Sequence, residues 1–265
     1  GGPPVRATAI KALAVVATAA DLPSAIALLQ RLDSPADRLG AENLVTAICT
    51  SAGDKEACAE KIIAALGSTQ PQQKISMLRI LGAVGGTKGL QAVREAARDT
   101  HREVREAAVA ALAAWPEQAA APDLLALARS ATQPSDRLRA LRGYLRLALD
   151  VDLPHDKRLE MCREAQSLIE RDDEKRLLLR ILSRIQSAKA LAMITPLLEN
   201  PAVSDDAAAA AIAVAGKLAG EPDARQSAAA IFDAMGRIKQ TSQSADLLKK
   251  AADLQDRVRP LVPKQ

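Results

Sequence analysis

The chain has 265 residues, 48% of them apolar but only 1% aromatic, and 36 Lys and Arg stand against 32 Asp and Glu for a formal net charge of +4. A core made from such a chain is built of Leu, Ile, Val and Ala. Charged side chains interrupt almost every turn, so no stretch reaches the roughly 20 apolar residues of a membrane-spanning helix. The two charge signs are interspersed, which describes a solvated surface and not a polyelectrolyte. Ala and Leu are the strongest helix formers, and no run of alternating β-branched residues is bounded by turns, so the fold class is all-α.

Taken in chain order, the sequence opens at Gly1 and Gly2 before Pro3 and Pro4 without an initiator Met. That start reads as a cut through a longer chain and leaves an upstream export signal open. A single helix is predicted from Val5 to Ala20. Paired helices follow at 22–32 with 35–51, 54–66 with 71–84, 87–98 with 101–115, and 117–131 with 134–149. Three more pairs are predicted at 155–169 with 172–185, 187–199 with 202–219, and 222–235 with 241–258. Pro4, Pro35, Pro71, Pro134 and Pro201 mark helix starts, because the N–H that Pro lacks has no partner in the first turn. Thr100 and Asp172 mark two further starts as capping residues. Gly53, Gly67, Gly85, Gly86 and Gly220 sit at predicted helix ends, where glycine accepts a left-handed backbone. The tail at 260–265 is expected to fray.

One phrase occurs twice, VRATAIKAL at Val5–Leu13 and VREAAVAAL at Val104–Leu112. Val5, Thr8, Ala9, Ala12, Leu13 and Val16 fall at the offsets of Val104, Ala107, Ala108, Ala111, Leu112 and Trp115, which is one buried helix face. A face repeated about a hundred residues later, with hairpins starting about every 30 to 38 residues, marks a repeat array. The expected architecture is one α-solenoid domain over 1–259, a right-handed superhelix of about seven hairpins plus the single N-terminal helix. An unpaired first helix exposes apolar surface, so a preceding repeat or another covering element is expected there.

The VRxxAxxAL phrase resembles the second helix of HEAT and HEAT-like repeats, including the short form typified by phycobilisome lyases. The stretch from Leu81 to Leu149, beginning LGAVGGTKGLQAVREAARDTHREVREAAVAALAAW, is similar to HEAT-repeat modules of large exported proteins from planctomycete-like and verrucomicrobia-like bacteria. The stretch EKRLLLRILSRIQSAKALAMITPLLENPAVSDDAAAAAI is similar to their continuation. In that group the resemblance implies neighbouring haem-binding or sugar-processing domains.

Chemistry-bearing patterns are sparse. Deoxyhypusine hydroxylase, also built of HEAT repeats, holds iron with paired His-Glu motifs, whereas His101 is followed by Arg102 and His155 by Asp156. Two histidines so far apart cannot supply most ligands of a transition-metal site. Trp115, Tyr144 and Phe232 are the aromatic residues, too few to line a pocket for a flipped base as in HEAT-like DNA glycosylases. No nucleophile and base stand together, so no catalytic residue, metal or cofactor is assigned. Paired carboxylates at Asp172 and Asp173, and at Asp205 and Asp206, sit at helix N-termini and complement the helix dipole. Cys49 and Cys58 flank a predicted turn, which admits either a disulfide or two small buried core residues.

Arginines depart from the repeat pattern. Arg139, Arg142 and Arg146 form one stripe, and Arg176, Arg180 and Arg184 form a second on the next second helix. The stripes either converge on a groove or point apart, and nearby carboxylates such as Asp136, Asp173 and Glu174 offer an alternative use for them in inter-repeat ladders. The expected function is a non-enzymatic, monomeric scaffold whose second helices hold a protein or neighbouring domain, with acidic groups favoured by the arginines. The first alternative is an accessory or spacer module of a larger exported enzyme, and the second is a nucleic-acid or other polyanion binder. The latter is weaker because base stacking lacks aromatic platforms. No membrane partner is expected. The compartment stays open between export, to which the resemblance and the cysteine pair point, and the cytoplasm.

Overall fold

The computed structural model describes residues 3–67, 70–150 and 152–263. Among these residues the chain forms α-helices and short 3-10 turns, with no strand. Two compact units divide at Leu147 and Ala148.

The first unit, Gly1–Leu147, contains α1 (Pro3–Val16), α2 (Leu22–Arg31), α3 (Pro35–Ala52), α4 (Lys55–Leu66), α5 (Pro71–Val84), α6 (Thr87–Ala96), α7 (Arg102–Ala114), α8 (Ala121–Ser130) and α9 (Pro134–Leu147). Odd-numbered helices pack in succession, α1 on α3, α3 on α5, α5 on α7 and α7 on α9. Even-numbered helices form a second layer, with α2 on α4 and α4 on α6, and each also packs on the odd helix that follows it. The core between the layers is aliphatic: Leu29, Ile48, Ile62, Leu78, Leu81, Leu112 and Leu124 are fully buried. Trp115 closes it, with its ring against Gly89 of α6.

Small residues set the spacing in the odd-numbered layer. A Cβ placed on Gly82 of α5 would lie 2.9 Å from the Ala111 Cα of α7, and one on Gly143 of α9 would lie 2.8 Å from the Ala113 Cα. Helices can come this close only where no side chain intervenes. Polar side chains then stitch the repeats. Glu56 of α4 accepts the backbone N–H groups of Thr87 and Lys88, so a side chain of one hairpin caps the helix opening the next. Glu117 accepts from Gly86 N (3.0 Å) and Trp115 Nε1 (3.0 Å) and pairs with Lys55 Nζ (2.9 Å). Arg94 of α6 engages both carboxylate oxygens of Asp123 on α8.

The second unit, Ala148–Gln265, contains α10 (His155–Gln166), α11 (Asp172–Leu182), α12 (Ala188–Ile194), α13 (Ser204–Leu218), α14 (Ala228–Thr241) and α15 (Ala245–Val258). Here α11 packs on α13 and α13 on α15, while α12 packs on α14, and each even helix again packs on the odd helix after it. Ala207, Ala208, Ala211 and Ala215 are buried along α13, so this layer too is held together by small side chains.

Several boundaries differ from expectation for identifiable reasons. The first helix stops at Val16, and Thr18 opens a 3-10 turn in which Asp21 accepts from the Thr18 N–H and hydroxyl. Pro196 has no N–H to offer a fourth-neighbour carbonyl, and residues Thr195–Glu199 tighten to a 3-10 helix. Pro201 lies in a turn stabilised by the Asn200 side chain accepting from Ala202 N at 3.1 Å, which delays α13 to Ser204. Gly236 does not end a helix; α14 runs through it, and the space left by its missing side chain is approached by Gln255 Nε2 of α15. Gly53, Gly85 and Gly86 adopt positive φ as expected for helix ends, whereas Gly67 stays right-handed and Gly220 is not among the positive-φ glycines. Of the tail expected to fray at 260–265, Pro260 and Leu261 lie in a 3-10 turn that begins at Arg259, and Lys264 and Gln265 lie outside the described residues.

Candidate functional site

Two grooves between odd-numbered helices are each lined by arginines of one stripe. In the first unit a groove of about 420 Å³ runs between α7 and α9, floored by Ala113, Leu138 and Gly143 and lined by Arg139, Arg142 and Arg146. The close approach at Gly143 creates this floor. Arg146 is committed to structure: its Nη2 donates to Trp115 O at 2.5 Å and to Ala113 O at 3.2 Å, closing the open carbonyls at the end of α7. Burial lowers its pKa from the usual arginine range. Arg139 stands 3.8 Å from Asp136, a loose ion pair.

In the second unit a groove of about 640 Å³ lies between α11 and α13. Leu177, Ala209, Ala210 and Ala213 form an apolar lining, and Arg176, Arg180, Asp173 and Asp206 supply the charges. Arg176 is again committed, donating to Asp206 Oδ2 at 2.9 Å and Ala202 O at 2.6 Å across to the start of α13. Arg180 is exposed, lines the groove and meets no carboxylate among the described residues. Arg184, one turn further, is likewise exposed and forms no ion pair within 4 Å among them. Glu174 does not neutralise the row; it is buried and reaches back to the Arg171 N–H at 3.3 Å to cap α11. The second stripe is thus split between Arg176, spent on packing, and Arg180 and Arg184, which face solvent.

A third groove, of about 550 Å³, was not anticipated from the sequence. It crosses α3, α5 and α7, where Arg38 and Arg79 are mixed with Glu42, Glu103 and Glu106. Arg79 lies 3.5 Å from Glu42, and Gln72 donates to Glu103 at 3.0 Å. Arg38 and Glu42 belong to α3, Arg79 to α5, and Glu103 and Glu106 to α7, and only the packing of hairpins aligns the three helices.

The cysteines are held as buried free thiols. Burial pushes Cys49 up to about 12, and a hydrogen bond with the Cys58 thiol adds to it. Burial also pushes Cys162 up to about 12, against the opposing Arg158 charge. A thiol at such a pKa is a core side chain and a poor nucleophile near neutral pH. Among the described residues no group of three or more His, Cys, Asp and Glu side chains is placed to hold a metal ion. His101 and His155 stand at the starts of α7 and α10. No helix among them is long and apolar enough to cross a membrane.

With paired helices, small-residue contacts and inter-hairpin caps in view, the comparison with known families is direct: the HEAT-repeat family matches residues 59–144. A HEAT-type repeat is present over that part of the chain. The HEAT stretch contains the α5–α7 and α7–α9 close approaches and Glu117 with its Gly86 and Trp115 donors, while Lys55 precedes it. No curated protein matches the chain. Among solved structures, an engineered protein from the Northeast Structural Genomics Consortium is 19% identical with a TM-score of 0.49, over 96% of this chain and 71% of its own. A second engineered protein from the same source is 18% identical with a TM-score of 0.37, over 91% of this chain and 98% of its own. A chain from a study of computationally designed self-assembling cyclic homooligomers is 16% identical with a TM-score of 0.23, over 97% of this chain and 94% of its own.

Proposed function

We propose that this chain is a non-catalytic scaffold: one right-handed α-solenoid domain over 1–259, of about seven HEAT-like hairpins and a single first helix. In this reading it holds a protein or a neighbouring domain on the faces of its second helices, and an acidic segment of that partner lies in the arginine-lined grooves. The observation that carries the reading is Arg180, an exposed guanidinium without a carboxylate partner among the described residues, over the apolar lining of Leu177, Ala209, Ala210 and Ala213. An amphipathic acidic helix suits such a groove, its apolar side on the alanines and a carboxylate accepting from the guanidinium in a charge-assisted pair.

Titration with a fluorescent Glu- and Leu-rich helical peptide tests it. Arg180→Ala should weaken binding roughly tenfold, while Arg142→Ala should weaken it where the first groove is also occupied. Thermal unfolding of Arg180→Ala should be unchanged. Equal affinity of wild type and variant removes the reading. A steep log-linear loss of binding with salt on a nucleic-acid probe, absent with the peptide, would favour the polyanion alternative. The spacer alternative, a module within a larger exported sugar-processing or haem-containing enzyme, draws support from the exposed apolar side of α1.

A further inference from the structure

Helices α1 and α7 share one sequence phrase and end in different surroundings. With Val5 aligned on Val104, the apolar face of α7 is covered: Val104, Leu112 and Trp115 are 0%, 1% and 0% exposed. Their counterparts Val5, Leu13 and Val16 in α1 are 63%, 45% and 70% exposed, and the neighbouring Val15 is 84% exposed. Ala9 and Ala12 are exposed as well, where Ala108 and Ala111 are buried. Ile10 is buried like its counterpart Val109 and lies against Gly40 of α3. The side of α1 that continues the helix stack toward α3 is therefore satisfied, and the remainder of its apolar face is open.

What covers α7 defines what would fit α1. Helix α5 approaches α7 at Ala111 through Gly82, and α6 sets Gly89 against the Trp115 ring. Those contacts correspond to Ala12 and Val16. We infer that the open face of α1 is a docking surface for a HEAT-type helical hairpin on a partner segment. One of its helices presents a glycine or alanine to Ala12, and the other lays a small residue against Val16. The docked helices continue the stack already formed by α3, α5, α7 and α9. The end of a second copy is a poor occupant, because α15 exposes Lys249, Lys250, Asp253, Asp256 and Arg257. Pressing these onto Val15 and Val16 would desolvate charges without partners.

The repeat supplies its own probe. Residues 71–103, which contain α5, α6 and the turn into α7, are fused directly before Val5 of the chain, so that Glu103 precedes Val5 as it normally precedes Val104. Hydrogen exchange should slow about tenfold or more over Ala9–Val16 relative to the unfused chain. Ala12→Glu in the fusion should abolish that protection, while in the unfused chain, where Ala12 is exposed, it should leave exchange unchanged. Unaltered exchange of α1 in the fusion overturns the inference. So does concentration-dependent dimerisation of the unfused chain in sedimentation that Val16→Asp abolishes, because the occupant is then a second copy.

Discussion

Glu117 concentrates three contacts in one side chain. Burial opposes its charge, but the Gly86 N–H, the Lys55 ammonium and the Trp115 indole N–H together hold its carboxyl below the usual carboxylate range. Trp115→Phe keeps most of the ring packing and removes the indole donor, so a loss of about 1 kcal/mol in denaturant unfolding is expected. Arg146 and Arg180 make a matched contrast. Arg146→Ala frees the end of α7 and should cost about 1 kcal/mol after allowance for solvent screening, whereas Arg180→Ala should leave stability untouched. Asp99 is held down to about 2, chiefly by the His101 backbone N–H, with burial opposing and the His101 ring and Lys74 assisting. A carboxyl depressed in the folded state stabilises fully above its unfolded pKa and loses that stabilisation as pH falls through its folded value. Acid unfolding followed by circular dichroism should therefore steepen between about pH 4 and pH 2, and Asp99→Asn should flatten that interval. The three buried thiols should resist a thiol reagent in the native chain, and all three should titrate after denaturation without reductant. A count of one would place a disulfide between Cys49 and Cys58.

At the scale of helices, Ala and Leu mark the buried faces, while glycine serves both helix ends and close packing. Ala and Leu periodicity made the second helices readable, and their predicted positions at 35–51, 71–84, 101–115 and 134–149 lie within a few residues of α3, α5, α7 and α9. Glycines were harder, because a glycine that ends a helix and one that admits a neighbour look alike in sequence. Gly53 ends α3 with φ 73°, while Gly82, Gly143 and Gly236 lie inside helices at close contacts. Gly143→Val should force α9 away from Ala113 and cost about 1–3 kcal/mol through overpacking, measured as a shift of the urea midpoint. A mutation at Gly67, where nothing approaches within 4 Å, provides the contrast and should change little.

Across the whole chain, repeated hairpins in which each element packs mainly on its neighbours favour unfolding in steps over a single cooperative event. The one Trp, Trp115, reports on the first compact unit, whereas far-ultraviolet circular dichroism reports on both. Their urea midpoints should therefore differ; coincident midpoints would mean that the two units unfold together. The all-α class and the paired-helix pattern were legible in the residues alone, because burial of one helical face imposes a local period, and the resemblance of Leu81–Leu149 to HEAT repeats overlaps most of the family match over 59–144. The arginine stripes were legible as stripes for the same reason. Which arginine is consumed by packing was not, since Arg146 finds its carbonyls at the end of α7 and Arg176 its carboxylate on α13, contacts about 30 residues away in sequence. The mixed-charge groove over α3, α5 and α7 and the open face of α1 likewise exist only once helices are stacked. Local periodicity determines which residues face inward; the neighbours those residues meet, and the faces left without one, are determined by tertiary packing.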